Sequence, residues 1–124
     1  MTGLNYHTVL GLLLFAVLLA AGQVLFKVTA LELGPASGLA NLSQLVRSPY
    51  AWTACALYAT ATVLWIVLLK TVPLSIAYPF VALGFVVVPA AAAIWFDEPV
   101  SLRYAAGVAC ILVGIYLTQV PPAR

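Results

Sequence analysis

The sequence predicts an all-α integral membrane protein, a single domain of four transmembrane helices over residues 1–124 that assembles as a dimer. The first observation behind this class is composition: of 124 residues, 65% are apolar and only 6% charged, with mean hydropathy +1.16. A soluble domain of this size carries about a quarter charged residues. The second is segmentation, because the apolar residues gather into four runs close to the ~20 residues that a helix rising ~1.5 Å per residue needs to cross a hydrocarbon core of about 30 Å. The third is a constraint. Lipid offers the backbone no hydrogen-bond partners, and a helix satisfies its amides and carbonyls within each segment.

The first helix is expected over about residues 4–32, uncharged from Val9 to Phe26, with Lys27 at its end able to snorkel. Ala20, Ala21 and Gly22 imitate a signal-peptide cleavage site, but Thr2 to His7 supplies no basic residue, so the segment is expected to be retained as a span. The connection LGPASGLANLSQLVRSPY is polar enough for the membrane interface and suits a short surface helix around Leu39 to Val46. The second helix is expected at about residues 50–70, with Tyr50 and Trp52 as interfacial aromatics and Lys70 closing it. KTVP is so short that spans two and three must form an antiparallel hairpin.

The third helix, about residues 74–96, ends at Trp95 and Phe96 and contains Pro79 and Pro89. Each proline removes an amide donor and obstructs a helical hydrogen bond, so the helix should loosen at both places, as a static bend or as a hinge. The fourth, about residues 99–120, opens at DEPVS: Asp97 or Glu98 would accept from free amides and oppose the positive helix end, and Pro99 suits the first turn. Pro121 and Pro122 end it. Gly107 and Gly114 fall on one face two turns apart, with Ala106, Ala109 and Cys110 nearby, and predict a close packing seam, read here as the dimer contact.

Charge leaves the orientation open. An even number of spans puts Lys70 and Arg124 on one side and Lys27, Arg47 and Arg103 on the other, which is no usable positive-inside bias. Five basic and three acidic residues are too few for a nucleic-acid face. Cys55 and Cys110 are isolated in apolar runs and read as packing residues, neither disulfide nor metal ligands. No catalytic motif or cofactor site is expected; the adjacent Asp97 and Glu98 read as capping residues before an acid and base pair. His7 reads as interfacial, and Glu32 and Arg47 as headgroup contacts, with Glu32 also within reach of Lys27.

Gln23 and Lys27 are the informative pair. Four residues apart, they share a helix face. One reading is a snorkelling lysine with a glutamine bonded to a neighbouring helix. The other is an amide and a cation at the membrane boundary that hold an anionic group. Tyr78, beside the proline break, is either an interfacial tyrosine or a hydroxyl offered to a ligand. A unit this small encloses little volume, so moving a substantial substrate is simplest between two subunits.

The segment WIVLLKTVPLSIAYPFVALGFVVVPAAAAIWFDEPVSLRYAAGVACILVGIYL, taken with AGQVLFK, resembles the short four-helix form of the drug/metabolite transporter superfamily, with its EamA-type half-repeat. Within it the chain is most similar to the subunits of the aminoarabinose-phosphoundecaprenol flippase, through GQ-x3-K, VP-x-x-IAYP and EPVS, over about Ala20 to Thr118. The resemblance implies a four-helix fold that dimerises with itself or with a paralogous subunit. It implies transport of a sugar on an undecaprenyl phosphate carrier across the bacterial inner membrane, for modification of envelope lipid A or polysaccharide. Carried over residue by residue, the motifs fall on Gln23, Lys27, Pro73, Tyr78, Pro79, Glu98 and Pro99, with Gln23, Lys27, Tyr78 and Glu98 as substrate-binding candidates. Lys27 would neutralise the lipid phosphate, and Gln23 and Tyr78 would donate to it. The small multidrug resistance transporters share PxxIAY and the glycine spacing. Their mechanism rests on a glutamate in the first helix, whose place is taken here by Leu19, and the aromatic expected three residues after Tyr78 is Val81. A cation exchanger needs that buried carboxylate, so proton-coupled cation efflux is the disfavoured alternative; a non-transporting membrane subunit is the third.

Overall fold

Segments that cannot borrow hydrogen bonds from their solvent form helices, and a computed structural model, which describes residues 5–35 and 38–119, is helical with no strand among the described residues. In chain order the helices are α1 (Tyr6–Glu32), α2 (Leu39–Arg47), α3 (Pro49–Leu69), α4 (Leu74–Val81), α5 (Gly84–Phe96) and α6 (Leu102–Gln119). Three stretches are long and apolar enough to cross a membrane, Tyr6–Glu32, Pro49–Leu69 and the combined Leu74–Phe96, and Leu102–Thr118 is a shorter apolar helix. The expected helix limits at Leu4 and Val120, the stop at Pro121 and Pro122, and Arg124 lie outside the described residues.

The α1–α3 hairpin is the core of the molecule. Buried positions recur every seven residues on both helices, at Phe15, Gly22 and Thr29 on α1 and at Ala54, Ala61 and Leu68 on α3. That is the repeat by which two helices keep one seam in register, and small residues at it let the backbones approach closely. A Cβ on Gly11 would stand 2.8 Å from Leu68 Cδ2, and one on Gly22 would stand 2.8 Å from Tyr58 Cδ2. Leu12, Phe15, Ala61, Leu68, Val72 and Ala77 form one apolar cluster, with the Phe15 and Trp65 rings stacked at 4.4 Å.

Polar groups on these helices are matched locally. Thr53, Thr60 and Thr62 donate to the carbonyls of Pro49, Ala56 and Tyr58 at 2.8–2.9 Å, so their exposed hydroxyls are compatible with lipid. Buried Thr29 does the same to Leu25 at 2.9 Å. Ser48 caps α3, its Oγ accepting from Ala51 N–H at 3.5 Å and donating to Glu32 Oε2 at 3.2 Å, with Pro49 in the first turn. Glu32 is therefore held by the α3 cap and does not pair with Lys27. The surface helix expected near Leu39 to Val46 is α2; it exposes Leu39, Leu42, Leu45 and Val46, and Trp52 Nε1–H donates to Val46 O at 2.8 Å.

The third span is divided at Ala82 and Leu83, between its two prolines. Pro79 lies inside α4 and Pro89 inside α5. Around the division the ladder tightens: Leu83 N–H bonds Phe80 O at 3.2 Å, Phe85 N–H bonds Ala82 O at 3.0 Å, and Val86 N–H bonds Leu83 O at 3.0 Å. These three-residue steps carry the chain across the break between α4 and α5.

DEPVS differs from expectation. Asp97 takes the left-handed conformation, φ 53°, and ends α5, with Glu98 N–H reaching back to Ala92 O at 3.4 Å. Both acidic residues are thus occupied in closing α5, and Glu98, preceding Pro99, is kept out of the helical region. Pro99 consequently stands before the helix, which starts at Leu102. Ser101 is the cap, its Oγ accepting from Tyr104 N–H at 3.1 Å. Helix α6 lies largely open: a Cβ on Gly107 or Gly114 would meet nothing within 4 Å.

Gly22→Val should force the Tyr58 ring away from α1 and cost about 2 kcal/mol, the usual scale of overpacking a fitted seam; a lowered thermal midpoint by circular dichroism in detergent is the expected result.

Candidate functional site

The polar residues of the hairpin converge where α1 ends, α3 begins, and α5 hands over to α6. Gln23 and Lys27 lie near the end of α1 on the face turned to α3 and α5. Lys27 Nζ meets Glu98 Oε1 at 2.7 Å, and both side chains are 44% exposed. Glu98 reaches it because the left-handed turn at Asp97 swings the α5–α6 link back over α1. A half-exposed pair of this kind contributes only about 0–1 kcal/mol. It joins the link to α1 and costs little to part.

One turn deeper, Gln23 Nε2 donates to the hydroxyl of Tyr58. Tyr58 comes from α3 and lies against α1 because Gly22 presents no side chain, and its ring packs on Phe26 with centroids 5.3 Å apart. From the other side, Tyr104 of α6 donates its hydroxyl to Phe85 O at 3.3 Å. Pro89 accounts for that bond. It has no amide to give the carbonyl four residues earlier, and that carbonyl is Phe85 O.

These groups line three connected cavities. A polar compartment of about 230 Å³ is bounded by Gln23, Lys27, Phe96 and Glu98. Across Glu98 lies a second, about 340 Å³, with Pro99, Ser101 and Tyr104. Both share Val88 with a third of about 440 Å³ that runs deeper past Gln23, Ala20, Leu19 and Ala16 to Val81 and Phe85. The groove is therefore charged at the membrane boundary and apolar inward. Leu19, the position a cation exchanger would fill with glutamate, is part of the apolar wall. Among the described residues no three His, Cys, Asp or Glu side chains come together as a metal site.

Tyr78 is not part of this groove. It is 60% exposed and stands edge-on to Trp65, centroids 6.3 Å apart. Trp65 stacks on Phe15, which precedes Lys27 by 12 residues, or about 18 Å along a helix. The short turn between α3 and α4 places α4 at the opposite boundary, so Tyr78 cannot donate to a group held by Lys27. It lines a cavity of about 350 Å³ with Pro79, Phe85 and Ile115, which adjoins the deep end of the groove at Val81 and Phe85. The hydroxyls that do reach the groove, Tyr58 and Tyr104, were missed from sequence. Tyr58 carries a signal, since it lies too deep in its span for an interfacial aromatic and Gly22 stands beside Gln23; Tyr104 carries none beyond its nearness to EPVS.

The chain is 36% identical over 106 residues to the "Probable 4-amino-4-deoxy-L-arabinose-phosphoundecaprenol flippase subunit ArnE" of Pseudomonas fluorescens (strain Pf0-1), covering 86% of this chain and 91% of that protein. It is 40% identical over 108 residues to the protein of the same name from Escherichia coli O127:H6, covering 85% and 91%. With that of Pseudomonas aeruginosa (strain UCBPP-PA14) it shares 42% over 72 residues, 58% of this chain, and the match spans 63% of the length of that relative. No family model and no solved structure matches the chain.

Tyr104→Phe should leave the Phe85 carbonyl without its donor and lower stability by about 1 kcal/mol. The direct readout is an upward shift of the infrared band of a ¹³C-labelled Phe85 carbonyl.

Proposed function

Because the chain belongs to the family of the 4-amino-4-deoxy-L-arabinose-phosphoundecaprenol flippase subunit ArnE, we propose that it is a flippase subunit that moves an undecaprenyl-phosphate-linked sugar such as aminoarabinose across the bacterial inner membrane. It works as a dimer, with a second copy or with a paralogous subunit. The observation that carries this reading is the groove with Lys27 and Glu98 at its boundary end and an apolar wall from Ala20 to Phe85.

A lipid-linked sugar has the same division. Its phosphate joins a polar head to an isoprenoid tail and rests at the depth of the membrane boundary. Lys27 takes the phosphate oxygen in a charge-assisted hydrogen bond, and the Gln23 amide, held by Tyr58, lies one turn below it. An unmatched anion is costly in lipid, so a cation at the boundary lowers the cost of leaving water. The sugar follows the hydroxyls of Ser101, Tyr58 and Tyr104 while the tail stays in lipid or along the apolar wall. No covalent bond is made or broken.

Pro79 and Pro89 flank the bend at Ala82 and Leu83 and serve as the hinge by which α4 and α5 change their angle. The outer face of α6, with Gly107 and Gly114 open, receives the other subunit. A proton-coupled cation exchanger would need a carboxylate where Leu19 stands.

In proteoliposomes carrying the chain and a paralogous subunit, Lys27→Ala should slow the movement of such a lipid between leaflets by about tenfold or more, the worth of one charge-assisted hydrogen bond. Wild-type protein that moves no such lipid, alone or with its partner, ends the reading. Undiminished transport by an assembled Lys27→Ala complex makes this chain a non-transporting subunit.

A further inference from the structure

Resting on the flippase reading, we infer that Glu98 recognises a positive charge on the sugar and makes the groove selective for an amino sugar over a neutral one. Among the described residues, Lys27 and Glu98 are the only charged ones that line the three adjoining cavities. They face each other at 2.7 Å and cancel. The groove without ligand is electrically neutral.

A sugar joined to a polyprenyl chain through a phosphodiester brings one negative charge. When its phosphate takes Lys27 and the sugar is neutral, Glu98 loses its partner and faces the phosphate, leaving the groove with a net negative charge in surroundings of low dielectric. Like charges at close quarters oppose occupancy. An ammonium on the sugar removes the conflict. The phosphate pairs with Lys27, the ammonium with Glu98, and the occupied groove is neutral again with two ion pairs in place of one.

The geometry gives each charge its place. Glu98 is the shared wall between the compartment of Lys27 and Gln23 and the compartment of Ser101 and Tyr104. A pyranose with phosphate at C1 and nitrogen at C4 carries its charges at opposite ends of the ring, so it can reach from Lys27 past Glu98. Both hydroxyls beyond keep capacity for the sugar: Ser101 Oγ, which accepts from Tyr104 N–H, can donate, and Tyr104 Oη, which donates to Phe85 O, can accept. Glu98 sits in the link between α5 and α6 and Lys27 on a long flexible stem, so parting them breaks no helical hydrogen bond.

The test uses the full chain in lipid nanodiscs and two probes at neutral pH, a short polyprenyl phosphate bearing a 4-amino-4-deoxy pentose and the same lipid with a hydroxyl at C4. Calorimetry should show wild type binding the amino lipid about tenfold more tightly, as one additional charged hydrogen bond provides. Glu98→Gln should bring the ratio to about one, weakening the amino lipid and strengthening the hydroxyl lipid, and Glu98→Asp should restore part of the preference. Lys27→Ala should weaken both lipids. Wild type that binds the two equally, or Glu98→Gln that weakens both by the same factor, overturns the inference and leaves the flippase reading standing. Wild type that binds neither overturns both.

Discussion

Close approach of α1 and α3 is the constraint on which the remaining structure depends. In lipid the hydrophobic effect does not drive helices together, so their association rests on packing and on matched polar groups. Gly11, Gly22, Ala54 and Ala61 supply the packing, letting Leu68 and Tyr58 of one helix lie directly on the backbone of the other. The same approach sets the position of Tyr58 and hence of Gln23. It also fixes where α4 leaves the hairpin, and so which boundary each later residue can reach.

The second layer of order comes from polar groups that would otherwise be bare. Pro89 frees the Phe85 carbonyl, and Tyr104 meets it, tying the exposed α6 to α5. Glu32 is matched by Ser48, and Lys27 by Glu98. Each pair joins segments distant in sequence. In the last, a weak half-exposed ion pair joins the α5–α6 link to α1 beside the groove. A buried, fully desolvated pair would be costly to separate and would close the site.

Much of this was legible. Composition and the length of the apolar runs were enough for membrane helices, and Lys27 with Gln23 on one face marked the end of the groove. DEPVS was misread because its acids look like a helix start; the left-handed Asp97 closes α5 with them, and Ser101 takes the cap. Tyr78 was grouped with Lys27 on motif and chemistry, although the short hairpin turn places it at the other boundary. Glu98 was a candidate only through resemblance, and its ion pair with Lys27 was not legible.

The division has a physical cause. Hydropathy, helix length and the chemistry of Gln23 and Lys27 belong to single segments and are determined by the sequence alone, since lipid forces each segment to satisfy its own backbone. Which helix faces meet does not follow, because a helix that is apolar all round has no amphipathic stripe to show its inner side. Only tertiary structure decided that Gly22 receives Tyr58, that Tyr104 reaches the carbonyl freed by Pro89, and that Lys27 faces Glu98 across 71 positions of chain.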